Sequence, residues 1–140
     1  MTPTMTLDET IAVSRPLAEA FDYVTEFANI REWDPAVAGA EKLTPGKVDV
    51  GTEFDVVMNA GFTLRYVVRE IEANKRVLMD VTSRFFDAEE EISFSRKGKK
   101  TEIRYIARFS FRQPIAAITS LWPQGMDAVG KSAMAGLSSA

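Results

Sequence analysis

Hydrophobic and polar residues alternate along much of the chain before residue 112, and such alternation predicts half-buried β-strands. In the opening stretch, Thr4–Val13, one face carries Leu7, Ile11 and Val13, and Glu9 falls on that same apolar face. Further strands are predicted at 37–43, 52–58, 62–68, 77–83, 88–96 and 103–111. Because the connections between the later strands are short, the seven strands should form one antiparallel sheet.

Two short helices are predicted between the first and second strands. Ser14 should cap a helix over 17–24, with Pro16 in the first turn, where proline is tolerated. A second helix over 28–33 should end at Asp34, because the residue before a proline avoids helical backbone geometry.

The last stretch, 113–140, has apolar residues at the three- and four-residue spacing of an amphipathic helix. Pro123 should kink it, because proline removes a helical hydrogen bond. Beyond the kink the apolar face is thinned by small residues, among them Gly130, Ala133 and Gly136. Two interpretations stay open: these residues leave room for a ligand, or they let the helix pack closely against the sheet.

The apolar side of the sheet must be covered, and the terminal helix is the candidate of the right length. These patterns predict an α+β fold, in which a curved antiparallel sheet of about seven strands wraps around a long C-terminal helix. The two short helices would follow the first strand.

The composition of the 140 residues narrows the possible chemistry. The chain has no histidine and no cysteine, so it lacks the commonest general base, the commonest metal ligand and any thiol. Its formal charge of −3 comes from interspersed acidic and basic residues, which argues against nucleic acid as a partner. We therefore expect a single domain over 1–140 without a metal or a cofactor.

No apolar run reaches the roughly 20 residues of a membrane-spanning helix, and the N-terminus lacks the features of a signal peptide. These observations predict a cytoplasmic protein with no integral membrane segment. The sequence leaves the oligomeric state open, a homodimer included.

The order of these elements resembles the START-related polyketide cyclase/dehydratase and lipid-transport superfamily (SRPBCC). The resemblance is carried by the opening strand leading into Ser14-Arg15-Pro16, by the short helix ending at Trp33-Asp34-Pro35, by Val50-Gly51-Thr52-Glu53-Phe54 and by the kinked terminal helix. It covers nearly the whole chain and implies the helix-grip fold. It also implies a deep cavity between the sheet and the terminal helix that holds an apolar small molecule.

Residues expected to line that cavity come from the third, fourth and last strands and from the terminal helix. They are Phe54, Val56, Phe62, Leu64, Tyr66, Tyr105, Phe109, Trp122, Met126, Gly130 and Ala133. This apolar lining favours a protein that binds or carries a hydrophobic small molecule, such as a lipid, a polyketide or another aromatic or isoprenoid metabolite.

The alternative is a polyketide-type cyclase or dehydratase that uses the same cavity. Glu9 and Tyr105 would then form its acid–base pair, because a carboxyl turned toward an apolar interior has a raised pKa. The opposing interpretation is that Glu9 reaches water or an arginine and has no chemical role. The resemblance supplies no further catalytic residues, since the family has no universal catalytic motif.

Other charged residues are predicted to be structural. Five arginines should lie on the outer face of the sheet and pair with acidic residues of neighbouring strands. They are Arg65, Arg69, Arg104, Arg108 and Arg112, and the expected partners include Glu53, Asp55, Glu89 and Glu91. The acidic run 87–91 is a poor metal site, because strand alternation directs Glu90 away from Glu89 and Glu91.

Overall fold

The computed structural model describes residues 4–112 and 136–137. In this part of the chain the strands are β1 (Thr4–Val13), β2 (Val37–Lys42), β3 (Glu53–Met58), β4 (Thr63–Glu72), β5 (Arg76–Thr82), β6 (Phe86–Lys97) and β7 (Lys100–Phe111). An α-helix, α1 (Leu17–Thr25), and a 3-10 helix (Phe27–Glu32) connect β1 to β2.

The strands form one curved antiparallel sheet in the order β1-β7-β6-β5-β4-β3-β2. Strands β2 to β7 follow one another as neighbours, whereas β1 pairs with β7, so that Thr4 lies opposite Ser110. The tight turn between β6 and β7 contains Gly98 at a φ of 63°, a left-handed conformation that glycine adopts without steric strain. The predicted antiparallel sheet is confirmed.

Both helices pack on one face of the sheet, which we call the inner face. Phe21 of α1 contacts Phe94 of β6, with ring centroids 5.2 Å apart, and Phe27 of the 3-10 helix lies 5.8 Å from Phe54 of β3. The alternate strand positions on this face are almost all apolar and buried, and they form the hydrophobic core. The inner face is therefore the side on which any enclosed site must lie.

The boundaries differ from the sequence predictions where polar residues extend an element. Strands β4, β6 and β7 are each longer than predicted. The backbone hydrogen bonds between strands continue beyond the residues in which apolar and polar side chains alternate. The segment predicted as a helix over 28–33 is a helix of 3-10 type.

The prediction that Ser14 caps α1 is wrong. The chain is still extended at Pro16, with φ −58° and ψ 153°, and the helix begins only at Leu17. The N-cap position is Pro16 itself, whose carbonyl accepts a hydrogen bond from the Ala20 N–H at 2.8 Å and which offers no side-chain cap. Pro16 thus precedes the first turn rather than belonging to it.

The predicted terminal helix falls mostly outside the described residues, and so do its kink at Pro123 and the predicted cavity wall. Gly136 and Leu137 are described: both are helical, and Leu137 is buried. A Cβ atom on Gly136 would lie 2.9 Å from the carbonyl carbon of Trp33 and closer still to its oxygen. At this position the small residue allows close packing.

No helix among the described residues is long and apolar enough to cross a bilayer.

Candidate functional site: a buried carboxyl on the inner face

The outer face of the sheet carries the predicted arginine pairs. Arg65 bonds to Asp55 at 2.6 Å, Arg69 bonds to Glu89 at 2.6 Å, and the other three predicted arginines also meet carboxylates of neighbouring strands. The prediction of cross-strand pairing is confirmed. These groups are exposed, and such pairs are structural features of a solvated surface.

The inner face carries one fully enclosed carboxyl group, that of Glu90 on β6. Its side chain alternates with Ala88 and Ile92 and points into the core, where Glu90 is only 4% exposed. Glu89 and Glu91 point to the opposite side and pair with arginines. A buried carboxyl is costly unless its oxygens have hydrogen-bond partners.

Two tyrosines from different strands supply those partners. The Tyr105 hydroxyl on β7 donates a hydrogen bond to Glu90 Oε1. The Tyr66 hydroxyl approaches from β4, across β5, and also bonds to the carboxyl. The long Glu90 side chain fits because Ala107 is its register partner on β7 and Ala88 precedes it on the same face.

Burial dominates the electrostatics of this cluster. It raises the pKa of Glu90 from 4.5 to about 7, although the hydrogen bonds from Tyr105 and Tyr66 oppose the shift. Burial, together with the charge of Glu90, raises the pKa of both tyrosine hydroxyls well above their usual value. The tyrosines therefore stay protonated, and Glu90 is the member that exchanges a proton near neutral pH.

A second acidic residue, Asp34, lies close enough for its charge to raise the pKa of Glu90 further. Asp34 follows the 3-10 helix, and its Oδ1 accepts a hydrogen bond from the Ala36 N–H at 3.0 Å. Burial raises the pKa of Asp34 as well. In the described part of the chain no lysine or arginine pairs with Glu90 or Asp34, so the cluster is acidic and lacks a counter-ion.

The structure places the predicted pair Glu9 and Tyr105 opposite each other on β1 and β7. Glu9 lies on the inner face but is partly exposed, and it makes no hydrogen bond or ion pair within the described residues. The Tyr105 hydroxyl bonds to Glu90 instead. The carboxyl that the structure brings to Tyr105 is therefore one that the sequence interpretation did not select.

The predicted ligand-binding residues of the sheet share the inner face. Phe54, Val56, Phe62, Leu64, Tyr66 and Phe109 are buried there, and Tyr105 is partly exposed. Tyr66 stacks on Phe27, with ring centroids 5.3 Å apart, so the polar cluster is bordered by aromatic rings. Trp122, Met126, Gly130 and Ala133 lie outside the described residues.

A separate groove of about 730 Å³ lies between α1, the loop that follows β2 and the turn between β4 and β5. Phe21 and Ile71 contribute apolar surface to it. Lys42 lies in its wall and pairs with Glu26 at 3.0 Å. Its lining, as far as the described residues show it, includes no residue predicted to bind a ligand and no member of the Glu90 cluster.

Residues 4–112 and 136–137 contain no group of three acidic side chains placed to hold a metal ion. The run 87–91 is divided between the two faces, as alternation predicted, and Asp87 pairs with Arg112 on the outer face.

The amino-acid sequence of the chain matches a known protein family. The family model for polyketide cyclase/dehydrase and lipid transport matches residues 4–140. The chain belongs to this family. No curated protein matches it in sequence. Family membership points to hydrophobic ligand binding or to cyclase activity, and the inner face is where this chain offers a surface for either.

Several solved structures share the fold. A START superfamily protein from Mycobacterium smegmatis superposes with a TM-score of 0.71 at 14% identity, covering 91% of this chain and 92% of its own. A protein from Rhizobium leguminosarum gives a TM-score of 0.72 at 14% identity, with 99% and 94% covered. A protein from Nitrosospira multiformis gives 0.69 at 14% identity, with 96% and 94% covered. At such identities the likeness is one of fold.

The family pattern did not reveal Glu90 or Asp34, but one sequence signal did exist. Ala88, Ile92 and Phe94 define the inner face of β6, and Glu90 has the same parity. Strand parity separates Glu90 from its acidic neighbours. It also directs the Glu90 carboxyl into the core, and this buried carboxyl is the feature that marks the site.

Proposed function

We propose that the protein binds a hydrophobic small molecule against the inner face of the sheet, with the polar end of that molecule at Glu90, Tyr66 and Tyr105. The observation that carries this proposal is the buried Glu90 carboxyl itself. In a core that is otherwise apolar, such a group weakens folding compared with an apolar residue of similar size. Hydrogen bonds to hydroxyl groups and the lack of a cationic partner within the described residues are typical of a group that meets a ligand.

The apolar part of the molecule would contact the inner-face residues that the sequence predicted, among them Phe54, Val56 and Leu64. The opposite wall of the site would come from the terminal helix, with Trp122, Met126, Gly130 and Ala133 as the proposed contacts. A bordering ring such as Phe27, which stacks on Tyr66, suits a flat or chain-like apolar ligand.

The proposal is tested by native mass spectrometry of the purified protein together with a titration with Nile red, a neutral apolar dye. We expect a co-purifying small molecule, or a saturable site with one dye per chain. Glu90→Gln should change the affinity of the site, whereas the outward-facing Glu89→Gln should leave it unchanged. A protein that carries no molecule and shows no saturable dye binding would refute the proposal.

Catalysis is the second candidate function, and the pKa of Glu90 favours it. A carboxyl with a pKa of about 7 can take up or release a proton at physiological pH, and Tyr105 holds it by a hydrogen bond. These are the groups that a cyclase or dehydratase needs beside a ketone substrate. If the protein is such an enzyme, Glu90→Gln should abolish turnover of a poly-β-ketone while the substrate still binds.

A further inference from the structure

Resting on the binding function proposed above, we infer the chemical class of the ligand's polar end. It is a hydrogen-bond donor without negative charge, a hydroxyl or an amino group, and the site rejects carboxylates. This assignment of the head group rests on the arrangement of Glu90, Tyr66 and Tyr105. Their oxygen atoms are available to a ligand as hydrogen-bond acceptors rather than as donors.

The hydrogen bonds within the cluster use up its donors. Tyr105 has one hydroxyl proton and donates it to Glu90 Oε1, and the Tyr66 hydroxyl also bonds to that carboxyl. Each tyrosine oxygen keeps lone pairs, and an ionised Glu90 has only acceptors. While Glu90 is ionised, a ligand hydroxyl or amine can donate to these oxygens, whereas a ketone or carboxylate offers only lone pairs. A ketone gains a donor here only when Glu90 is protonated, which is the form that the catalytic alternative uses.

The charges around the cluster also favour a head group without negative charge. Asp34 lies near enough for its charge to raise the pKa of Glu90, and Glu9 is the register partner of Tyr105 on β1. The described lysines and arginines pair elsewhere or lie exposed, and no ion pair reaches any of these three acids. A bound carboxylate would add a like charge where burial leaves little screening by water.

One buried donor has no hydrogen-bond partner within the described residues. The indole Nε1 of Trp33 is buried and lacks a hydrogen-bond partner there. The neutral indole N–H can donate a hydrogen bond to the oxygen of a ligand hydroxyl, but it cannot supply the charge that a buried carboxylate needs. A hydroxyl, unlike a protonated amine, can accept such a hydrogen bond as well as donate to the acceptor cluster.

The test compares four molecules that share one alkyl chain and differ only at the head: dodecanol, dodecylamine, dodecanoic acid and the methyl ketone of the same length. Each displaces Nile red from the wild-type protein at pH 8, below its critical micelle concentration. We expect the alcohol and the amine to bind roughly tenfold tighter than the acid and the ketone. An acid or ketone that binds as tightly as the alcohol overturns the inference.

Two variants connect the preference to the cluster. Glu90→Gln should reduce the advantage of the amine over the acid several-fold, and Tyr105→Phe should weaken alcohol binding because an acceptor is lost. Glu89→Gln is the matched control and should reproduce the wild-type ranking. An unchanged ranking in a folded Glu90→Gln protein also overturns the inference.

The failures of the two proposals are distinguishable. If Nile red binds and all four molecules displace it equally, the class of head group is wrong while the binding function stands. If Nile red finds no site and none of the four molecules binds, the binding function fails, and the inference about the head group fails with it.

Discussion

Acidic residues on the two faces of the same sheet have opposite surroundings. On the outer face, Glu89 is exposed and is shared by Arg69 and Arg108 at 2.6 and 3.4 Å. One residue later, Glu90 is buried on the inner face, with two tyrosine hydroxyls around it and no cation beside it in the described part of the chain. The chemical role of a glutamate in this chain therefore depends on strand parity, which turns one side chain to water and its neighbour to the core.

The physical reason is the dielectric surroundings. On the outer face, water screens the charges, and each ion pair contributes roughly 0–1 kcal/mol. On the inner face, the low dielectric penalises the ionised form, so the pKa of Glu90 rises to about 7 and a proton can be exchanged near neutrality. A row of paired charges on one side of the sheet thus indicates a solvated surface, whereas a buried carboxyl on the other side indicates a site.

The sharpest contrast is expected between Phe54 and Asp55, which are adjacent on β3 and face opposite sides. Phe54 is 0% exposed and packs against Phe27, so Phe54→Ala should lower the free energy of unfolding by about 3–5 kcal/mol. Asp55→Ala removes only an exposed pair with Arg65 and should cost roughly 0–1 kcal/mol. Urea denaturation measures both, and equal losses would contradict the assignment of the faces.

The next largest effect is a pH dependence of stability. The pKa of Glu90 in the folded protein, about 7, lies above its ordinary value of 4.5, so the native state keeps a proton that the unfolded chain has already released. Stability from this group is full below about pH 4.5 and is lost as the pH rises through 7. Between pH 5 and 8 the loss should be roughly 2–3 kcal/mol.

Glu90→Gln should remove this slope, and Glu89→Gln should keep it. Comparing the two variants cancels the contribution of Asp34, whose pKa is also raised by burial. The tyrosines facing Glu90 do not titrate in this range, because burial raises the pKa of each well above 10. Parallel stability curves for the two variants would show that the folded protein does not hold a proton on Glu90.

The smallest effects are expected from the outer arginines. Arg104→Ala and Arg108→Ala, made singly, should each change the free energy of unfolding by roughly 0–1 kcal/mol and leave Nile red binding unchanged. Both side chains are about half exposed and point away from the inner face. A tenfold loss of dye affinity in either variant would mean that the two faces of β7 have been exchanged.

Much of the fold could be predicted from the sequence because its signals are local. All seven strands were predicted, most of them from alternation, although the strands at 37–43 and 77–83 alternate poorly. Parity identified the inner-face residues such as Phe54 and Leu64 and the paired arginines of the outer face. The cap of α1 was missed because Ser14 looks like a capping residue, whereas the extended backbone at Pro16 delays the start of the helix.

The site was harder to predict because it depends on non-local geometry. Glu90 meets Tyr105 from the neighbouring strand and Tyr66 from two strands away, and Asp34 comes from the segment after the 3-10 helix. Parity could place Glu90 on the inner face, but no local pattern tells which hydroxyls reach it. The same holds for Gly136, whose closeness to the Trp33 carbonyl depends on how the terminal helix docks.

The pairing of β1 with β7 has a consequence for folding during synthesis of the chain. Thr4 lies opposite Ser110, so β1, the first strand of this sheet, finds its hydrogen-bonding partner only after nearly all of the sheet has been synthesised. Until then β1 carries an unpaired backbone edge and an apolar face, which are the features that lead nascent chains to associate wrongly. Such long-range closure also slows folding. β1 therefore stays exposed to wrong association until β7 has been synthesised.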